Sequence, residues 1–307
     1  MVRIRLGAVS VVVVAIGALT LGACGSSSNS SASTPKGNCP TKPVPVVVSV
    51  DQWGDIVDQL AGDCGDVTTI FKSSSADPHD YEPTSGDTAK FTGAKLVVVN
   101  GLDYDPWADK AVATLDTKPA VVNGGDVVGL KEGDNPHIWY GPDYVFKIAG
   151  AVTAELKKIE PKDAVYFDQQ NAAWRASMQP YDAEIAKITP LAAGKTYGAT
   201  ESIFDYMAEH VGLANVTPDG YQNAAANETD PAPGDVNDFE QALASGKVTV
   251  LIYNTQTEGA IPEQIRTKAQ GAKVPAVNVT ESVPPQFSSF VAWQVSQLKD
   301  LTRALGG

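Results

Sequence analysis

Basic residues, histidine and catalytic sequence motifs are all scarce in this 307-residue chain. Lys and Arg number 23 against 36 Asp and Glu, which gives a formal net charge of −13. Because no basic patch of any length occurs, nucleic acid is excluded as a partner. No GxSxG or HExxH motif is present, so the sequence carries no hydrolase signature. Histidine occurs only three times, which makes the surroundings of each one informative.

The apolar segment at the N-terminus is typical of a secretory signal. Arg3 and Arg5 form a positive region, residues 6–20 form an apolar region, and small residues lead to Cys24. The apolar region is shorter than the roughly 20 residues that a membrane span needs. The sequence LGAC at 21–24 resembles the bacterial lipoprotein cleavage box, in which the cysteine becomes the lipidated first residue. Ordinary signal cleavage and an uncleaved anchor are the alternatives.

We therefore predict a signal peptide over 1–23 and a lipid on Cys24 that anchors an extracytoplasmic protein to the bacterial cell membrane. The Ser-, Gly- and Asn-rich stretch 24–38 follows as a flexible tether. Lipidation of Cys24 leaves Cys39 and Cys64, and an even number of cysteines in an exported protein predicts one disulfide. Such a bridge stabilises a fold by roughly 2–4 kcal/mol. A zinc site built from two isolated cysteines is disfavoured.

The body of the chain alternates short β-rich runs with helical patterns, which predicts parallel sheets with helices on their faces. We predict an α/β fold of two lobes, over 39–160 and 190–307, each a mostly parallel sheet flanked by helices. An apolar stripe at helical spacing predicts a long linker helix over 161–189 between them. Pro180 should kink this helix, because proline lacks the N–H that continues the hydrogen-bond ladder. The polar stretch 222–235 is predicted as a loop.

Two of the histidines lie in similar local sequences. His79 lies in DPHDYEPT (77–84) and His137 lies in NPHIW (135–139), each directly after a proline. Proline fixes its own φ and restricts the residue before it, so each imidazole projects from a short, stiff segment. An ordinary loop histidine beside a turn proline is the alternative for either one alone. The repetition favours a pair of ligands.

Four side chains that can bind a metal follow predicted strands, where ligands of open α/β sheets bind. His79 and His137 follow strands of the first lobe, and Glu201 and Glu281 follow strands of the second. Imidazole and carboxylate suit a borderline divalent metal, and two carboxylates balance its charge. Either glutamate, taken singly, could instead stabilise a helix start. His210 is expected on the surface of its helix and is left out of the site.

Carboxylates close in sequence to the two histidines are candidates to orient the imidazole rings. Metal-ligating histidines commonly donate their second N–H to a carboxylate or carbonyl. The candidates are Asp77, Asp80, Glu82 and Asp134. Simple solvation is the alternative for each.

Four segments resemble the zinc/manganese-type solute-binding lipoproteins of bacterial ABC importers, namely DPHDYEPT, NPHIW, TESIFDYMAEHVGL and VNVTESVPP. The resemblance extends over essentially the whole body of the chain. It implies two lobes bridged by a long helix, with a metal ion between them. It places the first two ligands at His79 and His137, the third at Glu201 and the fourth at Glu281. It also implies an ABC permease, and through it an ATPase, as partners.

We therefore expect a monomeric, membrane-tethered receptor, and not an enzyme, that captures one Mn²⁺ or Zn²⁺ ion and hands it to a permease. The chain lacks the histidine-rich acidic loop and the third ligand histidine of many zinc members. Carboxylates that bind through both oxygens would favour Mn²⁺. One alternative is a surface adhesin or scaffold in which the metal is structural. The other is a metallohydrolase, which would need an open metal position for water.

Overall fold

The computed structural model describes residues 37–72, 81–227, 229–257 and 259–307. The predicted signal peptide, the predicted lipidation site Cys24 and the predicted ligand His79 lie outside the described residues. None of the helices within these ranges combines the length and the apolar character that a membrane crossing needs.

The first lobe is built on a parallel sheet covered by helices. Its strands, within the described residues, are β1 (Val44–Val50), β2 (Gly65–Phe71), β3 (Leu96–Val99) and β4 (Ala120–Asn123). The strand order is β2-β1-β3-β4, and every pairing is parallel. The central strands β1 and β3 are valine-rich and almost wholly buried. Continuous apolar runs are typical of parallel strands that have helices on both faces.

Among the residues that the structure describes, five helices accompany this sheet, namely α1 (Asp51–Ala61), α2 (Ser85–Lys90), α3 (Pro106–Ala113), α4 (Gly124–Val128) and α5 (Pro142–Ile159). Helix α1 starts directly at the end of β1, so its first turn lies at the carboxyl edge of the sheet. Trp53, Ile56 and Leu60 occupy its buried face. The polar side chains of the first turn are thereby brought to the edge where ligands bind.

The connection between the lobes consists of two helices, α6 (Ala164–Ser177) and α7 (Gln179–Ala192). The linker predicted as one helix is thus interrupted at Met178. Pro180 lies in the first turn of α7, where a missing N–H costs little. In place of the predicted kink, one helix ends at Ser177 and a second begins at Gln179. Met178 and Tyr181 are buried on either side of it, in agreement with the apolar stripe.

The second lobe repeats the architecture of the first. Its strands, in the part of the chain that is described, are β5 (Thr196–Ala199), β6 (Ala214–Asn215), β7 (Val250–Asn254) and β8 (Ala276–Val279). Their order is β6-β5-β7-β8, again all parallel. The predicted fold class of two helix-flanked parallel sheets is confirmed.

The helices of the second lobe are α8 (Asp205–Val211), α9 (Asp219–Ala226), α10 (Pro233–Ala244), α11 (Ala260–Gly271) and α12 (Phe290–Ala304). The predicted loop over 222–235 is wrong at both ends. Residues 222–226 continue α9, and α10 begins at Pro233. Three consecutive alanines end α9, and alanine has the highest helix propensity.

In the structure, a disulfide joins Cys39 to Cys64, with their Cα atoms 5.0 Å apart. Cys39 precedes β1, and Cys64 ends a 3-10 turn, Gly62–Cys64, that follows α1. Both cysteines are buried. The bridge fixes the start of the first strand to the end of the first helix.

Candidate metal centre

Three of the predicted ligands converge where loops of the two lobes meet. His137 precedes a 3-10 turn between α4 and α5, Glu201 follows β5, and Glu281 follows β8. The imidazole Nε2 of His137 lies 3.3 Å from Oε1 of Glu281 and 3.8 Å from Oε1 of Glu201. One ligand atom from each residue lies within 4.8 Å of the others. One ion with ligand bonds of about 2 Å can bridge atoms at these separations.

The imidazole of His137 is held in the tautomer whose Nε2 lone pair can bind a metal. Its Nδ1 lies 2.7 Å from Oδ1 of Asn135, and its backbone N–H donates to the same oxygen. Nδ2 of Asn135 donates to the carbonyl of Ser202 at 2.7 Å, which fixes the orientation of the amide. Because an amide oxygen only accepts, Nδ1 carries the proton and the Nε2 lone pair faces the carboxylates.

Asn135 therefore fills a role that the sequence assigned to nearby carboxylates. Asp134, one of the predicted partners, accepts a hydrogen bond from the backbone N–H of Lys131 at 2.8 Å. The rings of Tyr104 and Trp139 lie edge-on to the His137 imidazole, with centroids 6.3 and 5.3 Å away. His137 is 3 % exposed. The aromatic enclosure limits both water access and ring rotation.

The carboxylate of Glu201 is oriented from the end of β7. Its Oε2 accepts a hydrogen bond from Nδ2 of Asn254 at 2.7 Å and a second one from the hydroxyl of Thr257. Oε1 is the oxygen that faces His137. Burial raises the pKa of Glu201, and the neighbouring Glu281 carboxylate raises it further, whereas His137 lowers it. A dication at this site would relieve the crowding of negative charge.

Glu281 is held through its own backbone by both lobes. Its N–H donates to Oε1 of Gln256 at 2.5 Å, and its carbonyl accepts from Nε2 of Gln52 at 3.0 Å. The Tyr104 hydroxyl hydrogen-bonds to the Glu281 carboxylate and accepts from Gln52 at 2.7 Å. Glu281 is 3 % exposed. Gln52, in the first turn of α1, thus orients a ligand that belongs to the other lobe.

Further hydrogen bonds tie the two lobes together around the three ligands. The Tyr206 hydroxyl donates to the Asn135 carbonyl and the Tyr140 hydroxyl donates to the Thr280 carbonyl, both at 2.7 Å. The Val283 N–H donates to Asp51 at 3.3 Å, and the Phe290 N–H donates to Asp55 at 2.8 Å. The loop that carries Glu281 is consequently anchored on the first lobe at several points.

Sequence reasoning did not identify the residues that orient the ligands, namely Gln52, Asn135, Asn254, Gln256 and Thr257. The rule that selected Glu201 and Glu281 also applies to residues 254–257, which lie at the carboxyl end of β7. His210 is exposed on its helix, as expected, with Nδ1 4.0 Å from Oδ2 of Asp143.

Comparison with known proteins identifies the family of this chain. The family model described as ZnuA, zinc-uptake complex component A, periplasmic, matches residues 46–304. The chain belongs to this family. The match takes in both lobes and the connection between them, and the resemblance predicted from the four sequence segments is confirmed.

Relatives named for different metals have similar identity to this chain. The high-affinity zinc uptake system protein ZnuA of Bacillus subtilis (strain 168) is 24% identical over 284 residues, which cover 86% of each chain. The manganese ABC transporter substrate-binding lipoprotein PsaA of Streptococcus mitis is 24% identical over 286 residues, covering 87% of this chain and 88% of the relative.

Among solved structures, the substrate-binding protein FpvC of Pseudomonas aeruginosa in complex with Ni²⁺ has the same fold. It superimposes with a TM-score of 0.71 at 19% identity, covering 86% of this chain and 97% of FpvC. At this identity the likeness shows the fold alone.

Proposed function

We propose that this protein is the solute-binding component of an ABC importer and that it captures one divalent metal ion, Mn²⁺ or Zn²⁺, in the cleft between its lobes. The observation that carries the proposal is the convergence of His137, Glu201 and Glu281 from both lobes within 4.8 Å. Membership of a zinc-uptake family and the metal names of the relatives support it. The protein would bind metal as cargo.

The ligand set we propose consists of His137 and His79 from the first lobe and Glu201 and Glu281 from the second. His79 is included because its segment repeats the Pro-His design of the His137 segment. The two carboxylates cancel the charge of a divalent ion, and the two imidazoles bind as neutral ligands. Four protein ligands fill a tetrahedral shell and leave no position for a reactive water, so we assign the protein no enzymatic activity.

The cellular arrangement we propose is a monomer on the outer face of the cell membrane, held by a lipid on Cys24 and a flexible tether. The LGAC sequence and the naming of relatives as lipoproteins support this anchor. Its partner is an ABC permease, which receives the ion and is driven by its ATPase.

Calorimetric titration of chelator-treated protein with Zn²⁺ and Mn²⁺ tests the binding step. We expect one ion per chain, and His137→Ala should weaken binding by more than about 100-fold, because loss of a ligand exceeds the usual effect of losing an orienting residue. His210→Ala is the matched control and should bind normally. Equal affinities for His137→Ala and the unaltered protein would remove His137 from the site.

Growth of a strain that lacks the gene tests delivery to the permease. On medium depleted of zinc and manganese, the unaltered gene should restore growth and the His137→Ala gene should not. Restoration by both genes would contradict a role in metal import.

A further inference from the structure

The two oxygens of the Glu201 carboxylate have different surroundings. Oε2 accepts hydrogen bonds from Nδ2 of Asn254, at 2.7 Å, and from the hydroxyl of Thr257. Oε1 faces Nε2 of His137 at 3.8 Å. One oxygen is thus turned toward donors of the second lobe, and the other toward the proposed metal.

Asn254 is held in place by its position at the end of β7, and Thr257 lies three residues further along the chain. Asn254 is the last residue of that strand and is 1 % exposed. Its side-chain Oδ1 accepts from the N–H of Gln256 at 3.0 Å, so the amide cannot turn its Nδ2 away without losing that bond. Thr257 follows in the same short segment. The Asn254 amide is therefore fixed with its Nδ2 directed at the Glu201 carboxylate.

Two donors occupy the acceptor capacity of Oε2, because a carboxylate oxygen has two lone pairs. A metal that bound Glu201 through both oxygens would have to displace at least one of these bonds. Hydrogen bonds to a charged acceptor are among the stronger ones in proteins, and a donor left buried without its partner adds a further penalty. Binding of a metal through both oxygens of Glu201 is consequently opposed.

We propose that Asn254 and Thr257 are specificity-determining residues, which restrict Glu201 to one metal-binding oxygen and so favour Zn²⁺ over Mn²⁺. The inference rests on the proposed function and refines it. Zn²⁺ is satisfied by four ligands, whereas Mn²⁺ prefers a larger number of oxygen ligands. The binding through both oxygens that would favour manganese is opposed at Glu201.

Thr257→Val removes one donor and nearly preserves the shape of the side chain. The quantity to measure is the ratio of the dissociation constants for Mn²⁺ and Zn²⁺, obtained by competition with a chromogenic chelator at one pH. We expect this ratio to fall by about tenfold in Thr257→Val, the size of effect that one hydrogen bond to a charged group supports. Thr257→Ser, which keeps the hydroxyl, should retain the original ratio.

Thr255→Val is the matched control, because Thr255 lies in the same segment, is exposed, and donates to the Val279 carbonyl. It should leave the ratio unchanged. A purely structural role for Thr257 would weaken binding of both metals equally, and an unchanged ratio in Thr257→Val would therefore overturn the inference. A crystal structure of the Mn²⁺-loaded protein with both Glu201 oxygens bonded to the ion would also overturn it. Failure of the unaltered protein to bind either metal would instead refute the proposed function.

Discussion

Replacing Asp51 with Asn is expected to stabilise the metal-free protein strongly at pH 8 and much less at pH 5. Burial raises the pKa of Asp51 from 3.8 to about 7, although the Val283 N–H and Lys72 lower it. The folded chain therefore holds this proton more tightly than the unfolded chain. The contribution of the Asp51 proton to stability is complete below pH 3.8 and is lost progressively as pH rises through about 7.

The magnitude follows from the same pKa values. At pH 8 the carboxylate is ionised in both states, and burying its charge costs about 4 kcal/mol, because each pKa unit corresponds to about 1.4 kcal/mol. At pH 5 the folded state keeps the proton, and the cost falls below about 2 kcal/mol. Asparagine removes the charge and retains an oxygen that can accept the Val283 N–H.

Urea denaturation followed by tryptophan fluorescence measures the difference between Asp51→Asn and the unaltered protein at the two pH values. The protein should be treated with chelator, because bound metal would add its own stabilisation. Asp58→Asn is the control, since Asp58 is an exposed carboxyl on the same helix. A gain in unfolding free energy that is the same at pH 8 and pH 5, or no gain at pH 8, would refute the reasoning.

Three further outcomes follow from the site and the disulfide. Asn135→Ala should weaken metal binding by about 10- to 100-fold, because the imidazole loses the partner that orients it; an unchanged affinity in chelator competition would argue against that role. Metal affinity should fall between pH 7.5 and pH 5.5, since protons compete for His137 and for Glu201, whose pKa burial raises; a flat calorimetric profile would contradict both as ligands. Replacing Cys39 and Cys64 by serine should lower the unfolding free energy by about 3 kcal/mol, and mass spectrometry that found two free thiols in the exported protein would contradict the bridge.

Much of the fold could be predicted because its central strands are buried on both faces. Such strands carry continuous apolar runs, as in β1, β3 and β7, and these stand out from the surrounding helical patterns. Helix α9 was missed because its asparagine and glycine favour turns. It is stabilised by a contact distant in sequence, since the buried Tyr221 ring packs against Phe239 with centroids 4.9 Å apart.

The ligand positions could be predicted more readily than the residues around them. Glu201 and Glu281 follow strand ends, where topology alone brings side chains together. Asn135 could not be predicted from the sequence, because carboxylates are common partners of metal-binding histidines and Asp134 is adjacent. The structure shows why an amide serves better: it accepts from the His137 ring and also donates to the Ser202 carbonyl, whereas a carboxylate could not donate.

The contacts that join the two lobes bear on whether the metal is cargo or a structural ion. A structural metal supplies folding energy that the protein lacks without it. Here a continuous hydrophobic core includes Val48 of the first lobe, Met178 between the α6 and α7 helices and Ile252 of the second. Hydrogen bonds between the lobes, such as that from Phe290 to Asp55, do not pass through the ligand atoms.

Loss of the ion should therefore leave the lobes folded and joined, with Glu201 and Glu281 held close together and repelling each other. Gln52 and Gln256 hold the backbone of Glu281 from opposite sides, so the pair cannot relax apart easily. A site in that state attracts a dication strongly and can also return to the empty state without unfolding. Reversible occupancy of this kind is what a carrier requires, and it distinguishes the proposed receptor from a scaffold that depends on its metal.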